Sequence, residues 1–69
     1  MESLFEEARL FALATDIYGG SFFRALGQAA LRADAQNIVK IKTTWPDEWE
    51  RYVNWGRSIQ KDSITIQDK

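Results

Sequence analysis

The chain has no cysteine and no histidine. The first absence rules out disulfide staples. Together they remove the side chains on which structural zinc normally draws, and the thiol and imidazole that most nucleophilic catalysis uses. No metal and no cofactor are expected. No apolar stretch approaches the ~18 residues of a membrane-spanning helix. Blocks of like charge are missing too, and nine basic against ten acidic residues leave a net charge of −1. Such a surface exerts little long-range pull on nucleic-acid phosphates or anionic membranes. The N-terminal acids Glu2, Glu6 and Glu7 have the wrong sign for a secretory leader. A cytoplasmic protein is expected, and not an enzyme.

Length sharpens the problem. A chain of 69 residues buries roughly 60% of its unfolded surface, and one core of that size seldom supplies more than about 3–5 kcal/mol. Without disulfide or metal, the supplement left is self-association or a partner. The acids Asp16, Asp34, Asp47 and Glu48 fall near expected helix ends. There carboxylates cap the backbone and complement the helix dipole, so they read as structural rather than as a catalytic pair.

What is present is helical. Ser3 followed by Glu6 has capping-box spacing, and the Ala-, Leu- and Glu-rich run after it continues to a stop at Gly19-Gly20. A second segment starts at Ser21. Asp34 suits the cap of a third, although segments two and three read equally as one bent helix. Trp45-Pro46 breaks the third segment, and Pro46 suits the first turn of a fourth. Gly56 is a candidate stop, with continuation through Ile59 the alternative. The expectation is an all-α bundle of three to four helices over residues 1–60, followed at 61–69 by a polar, flexible tail, disordered or paired with a partner chain.

At roughly 100° per residue, Leu4, Phe5, Ala8, Phe11, Ala12, Thr15 and Tyr18 share one face of the first segment. Leu10, Leu13 and Ile17 fall nearly opposite. A helix apolar on two sides is covered on two sides, so this second face is the expected self-association surface. The second segment shows a stripe of Phe22, Phe23, Leu26, Ala29, Ala30 and Ala33. Ile38, Ile41, Trp45, Trp49, Tyr52 and Val53 are expected to continue the core, with Trp55 at its edge.

Two constellations qualify as binding sites. In the first, Arg51, Tyr52, Trp55 and Arg57 combine the residue types most enriched at protein-binding hot spots. In the second, Tyr18, Gly19, Gly20, Ser21 and Arg24 join a tight turn to a helix N-terminus, where backbone N–H groups and a cation suit a phosphate and Tyr18 can stack on a base. A Gly-Gly-Ser turn is also the ordinary way to join two helices.

The chain also resembles a group of short phage and prophage proteins. The likeness rests on Gly19 to Phe22, the Ala33 to Asn37 step, and Pro46 to Tyr52 in a Pro-x-x-Trp-x-x-Tyr close. It covers about residues 10 to 55. Where the family has proline after the Ala-Asp step, this chain has Ala35, which weakens the expected break. The family has no established activity. What the resemblance implies is a setting, in which small phage-encoded helical proteins bind and block a host component or sequester a signalling nucleotide. The expected function is therefore a homo-oligomeric, non-enzymatic protein that engages and inhibits a host protein, such as a defence effector. The first alternative is an oligomeric sponge for a small or cyclic nucleotide at the Gly-Gly-Ser turn. The second is helix-turn-helix DNA binding by segments two and three, which the near-neutral charge argues against.

Overall fold

The computed structural model describes the backbone of residues 2–67 and the side chains of residues 2–61. The expected tail at 61–69 therefore lies almost wholly outside the described side chains. Helix α1 is Leu4–Tyr18, α2 Ser21–Arg32, α3 Ala35–Thr44 and α4 Pro46–Gln67. The described residues contain no strand. The all-α bundle is thus as expected, with α1 at its centre touching the other three helices.

Local chemistry sets the boundaries. Ser3 caps α1, its hydroxyl accepting the Glu6 N–H at 3.1 Å, and the Glu6 carboxylate turns to Arg9 at 3.6 Å. Asp34 caps α3 by accepting from the Asn37 N–H at 2.9 Å. That bond, with extended backbone at Ala33 and Asp34, makes α2 and α3 separate helices without a proline at position 35. Trp45 leaves the helical region before Pro46, as the residue preceding proline must. Its carbonyl still accepts the Trp49 N–H at 2.8 Å, so the corner leads straight into α4.

Glycine acts here through close approach rather than through unusual torsions, since no described residue has positive φ. Gly19 and Gly20 are both extended. A Cβ at Gly27 would lie 3.1 Å from the Ala12 Cα and collide with the Thr15 hydroxyl, so α2 rides directly on the α1 backbone. Gly56 does the same for α4. There a Cβ would collide with the Leu10 carbonyl oxygen and lie 2.8 Å from its carbon. Gly56 is therefore no stop: α4 runs through it to Gln67.

This contact corrects the expected second face of α1. Leu10 is buried by its own chain beneath α4, while Leu13 and Ile17 stay exposed. The buried arc spans Ala8, Phe11, Ala12 and Thr15 and extends round to Leu10 and Ala14. Phe5 and Tyr18, expected inside, face out. On α2 the stripe is likewise turned. Gly27 and Ala30 are buried, Phe23, Leu26 and Ala33 half-buried, and Phe22 and Ala29 exposed. Ile38, Trp49, Tyr52 and Val53 are core as expected.

Candidate binding surface

The residues that pin α4 also decide which of its side chains face out. Trp49 stacks on Phe11 with ring centroids 4.5 Å apart, and the Tyr52 ring meets the same Phe11 edge-on at 5.8 Å. The indole N–H of Trp49 donates to Glu7 Oε1 at 2.9 Å, and Lys42 Nζ donates to that oxygen at 3.1 Å. One carboxylate thus ties α1, α3 and α4 together. Burial pushes the Glu7 carboxyl upward, but the hydrogen bonds from Trp49 and Lys42 and the lysine charge outweigh it and hold the group below its ordinary value. Sequence reasoning missed this pin. The available signal was an acid one turn before Phe11, on the face of α1 that is otherwise apolar.

With Trp49, Tyr52 and Val53 turned inward, Arg51 and Trp55 face solvent. Trp55 meets the buried Tyr52 at 5.3 Å and Tyr18 of α1 at 5.2 Å. On its other side Tyr52 meets Phe23 at 5.5 Å. Phe23 meets Phe22 at 5.1 Å, and Phe22 meets Trp45 at 5.6 Å. An unbroken run of ring contacts therefore links the end of α1, the start of α2 and the outer side of α4. Its outer members remain open to solvent: Tyr18 58%, Phe22 56% and Trp55 41%. The Arg51 guanidinium lies 5.7 Å from the Tyr52 ring centre and 5.9 Å from that of Trp55. Cation–π contacts of this exposed kind contribute about 0.5–1 kcal/mol each, enough to bias where the guanidinium rests beside the rings.

The two constellations read from the sequence are redistributed. Tyr18, grouped there with the anion turn, packs instead against Trp55 from the protein-binding group. Arg51 and Trp55 are surface neighbours as expected. Tyr52 is buried, so it supports the surface without forming part of it. Arg57 does not belong to the patch. It lies two residues beyond Trp55, a half-turn away on the helix, where it donates from Nε to Glu2 at 3.0 Å and also bonds Asn54. The Arg57 hydrogen bond holds the Glu2 carboxyl below its ordinary value, and the same bond raises the guanidinium.

At the turn, Gly19 donates its N–H to the Thr15 carbonyl at 2.9 Å. Gly20 caps α2 without a side-chain hydrogen bond, and Ser21 and Arg24 are exposed beside it. No group of three or more His, Cys, Asp or Glu side chains among the described residues is placed to hold a metal ion. No helix among them is long and apolar enough to cross a membrane. No protein-family model matches the chain, and no curated protein or solved structure matches it either.

Proposed function

We propose that this chain is a non-catalytic binding protein that docks a protein partner on the surface formed by Tyr18, Phe22 and Trp55, with Arg51 at its edge. The observation that carries the proposal is the run of ring contacts that links these exposed rings to one another through Tyr52 and Phe23. Three solvent-exposed rings from three helices are held in register by buried Tyr52 and half-buried Phe23. Isolated exposed apolar residues need no explanation, whereas a joined patch of aromatics with an arginine has the composition of a binding hot spot. Preformed rings also lose little freedom on binding, so more of their contact area converts to affinity. In the phage setting that the resemblance implies, the partner is a host protein in the host cytoplasm, and binding blocks it.

The test is capture of host proteins on the immobilised chain, with Trp55→Ala, Tyr18→Ala and Arg57→Ala in parallel. Loss of a captured partner by about tenfold or more with the first two, and its retention with the third, supports the surface. Retention by Trp55→Ala and Tyr18→Ala overturns it. The rival reading is a nucleotide sponge at Gly20, Ser21 and Arg24, and it has one observation in its favour: the α2 cap offers no side-chain acceptor to the first-turn N–H groups. A nucleotide that raises thermal stability in a manner abolished by Arg24→Ala, with no protein captured, favours that rival.

A further inference from the structure

The solvent face of α1 opposite the core carries an arrangement that the aromatic surface does not use. Leu13 and Ile17 are exposed on it, Ile17 by 52%, and Leu31 of α2 stands half-exposed across a shallow groove. That groove, about 250 Å³ in volume, is lined by Arg9, Ala12, Leu13, Asp16, Gln28 and Leu31. Its charges are ordered. Arg9 lies one turn before Leu13 and Asp16 just under one turn after it, so both share the Leu13 side of the helix. A short apolar centre is thus flanked by charges of opposite sign, about 6 Å along the axis on the Arg9 side and about 4.5 Å on the Asp16 side.

We infer that this face binds a second copy of the same chain, with the two α1 helices antiparallel across a two-fold axis near Leu13 and Arg9 of each facing Asp16 of the other. The pattern is self-complementary only in that sense. An antiparallel pair sets Leu13 against Leu13 and gives two Arg9–Asp16 pairs, one at each end. A parallel pair would set Arg9 on Arg9 and Asp16 on Asp16, and like charges facing each other are destabilising. An isologous interface of this kind is also the commonest closed assembly. Each Arg9 already has Glu6 at 3.6 Å on its own helix. That exposed contact is weak and leaves the guanidinium able to reach across. Buried Ala12 and exposed Gln28 line the groove beside Leu13 and Leu31. None of the aromatic-patch side chains lies in this strip, so the inference stands apart from the proposed protein-binding surface. The dimer would carry that surface at both ends.

Sedimentation velocity on the full chain tests the arrangement. Wild type is expected at twice the 8.0 kDa chain mass. Asp16→Arg, which sets arginine on arginine, is expected to raise the dissociation constant about tenfold or more, and the double variant Arg9→Asp with Asp16→Arg to restore it. Leu13→Asp is expected to give monomer. Both charged positions are exposed, and a cation near the C-terminus of α1 favours the helix, so unchanged far-ultraviolet circular dichroism shows that each variant folds. Wild type that stays at 8.0 kDa up to about 1 mM overturns the inference. So does a dimer that Asp16→Arg leaves intact, or one that the double variant fails to restore.

Discussion

Replacing Gly56 with alanine tests the packing at the centre of this fold, because two opposing effects can both be sized. In an exposed helix interior, alanine is more favourable than glycine by about 1 kcal/mol. Against that, the new methyl would lie 2.8 Å from the Leu10 carbonyl carbon and 2.9 Å from the Leu10 Cβ, where carbon atoms prefer about 3.5–4.0 Å. The obstacle is backbone, so no side chain can swing aside. Helix α4 must lift from α1 by roughly 1 Å, and a gap of that size forfeits up to about half of each affected dispersion contact. The contacts at risk are those of Phe11 with Trp49 and Tyr52. Overpacking of this kind costs about 1–3 kcal/mol, and a backbone obstacle places it at the upper end. After the propensity gain, a net loss of about 1–2 kcal/mol remains. For a domain of this length that lowers Tm by roughly 5–15 °C. Thermal and urea unfolding followed by tryptophan fluorescence measures it. Ser58→Gly and Ser58→Ala, at an exposed position of the same helix, supply the propensity difference without the collision. If Gly56→Ala is stabilising by as much as Ser58→Ala exceeds Ser58→Gly, α4 does not lie on the Leu10 carbonyl and the packing argument fails.

Glu7→Ala leaves the indole N–H of a buried tryptophan without its acceptor and is expected to cost about 1–3 kcal/mol in urea unfolding. Glu7→Gln keeps an acceptor for Trp49 and is expected to lose less. Because the folded state holds the Glu7 carboxyl below its ordinary value of 4.5, the unfolded chain binds more protons in acid. The contribution of Glu7 is therefore complete above about pH 4.5 and lost as pH falls through the lowered folded value. The stability gap between wild type and Glu7→Gln should be full at pH 6 and shrink toward pH 3, which urea midpoints at both values would show. Asp34→Ala removes the α3 cap and is expected to cost about 1 kcal/mol, read as a lower urea midpoint with unchanged slope. Gly20→Ser, at a cap whose extended backbone any residue adopts and where an added Cβ meets nothing within 4 Å, is expected to stabilise by a few tenths of a kcal/mol. A fall in Tm would show that the α2 cap is not the open one described.

Helix identity and helix ends were written locally. Ser3, Asp34 and Pro46 act through neighbours within one turn, so capping and proline geometry made them readable without any knowledge of the fold. Inward-facing Ile38, Trp49, Tyr52 and Val53 were legible for a similar reason, as they repeat at helical spacing. The candidate surface was legible only in pieces. Arg51 and Trp55 are four residues apart on one helix and so belong together by periodicity alone. Placing Arg57 with them ignored the half-turn that separates it from Trp55.

Contacts between helices were decided elsewhere, because a side-chain pattern says which face of a helix is buried but not which neighbour covers it. Gly56 looks the same in sequence whether it ends a helix or admits another backbone. Only the approach of α4 to the Leu10 carbonyl distinguishes the two, and that approach took Leu10 off the surface while Leu13 and Ile17 stayed on it. Tyr18 and Trp55 are joined in the same way, through the return of a later helix across the end of the first. Composition and periodicity thus determined that this chain is a helical bundle with a capped, amphipathic set of elements. Tertiary packing alone decided which aromatic rings meet and which are left facing water, because ring contacts between helices depend on helix separation and rotation, and neither is encoded within one turn of chain.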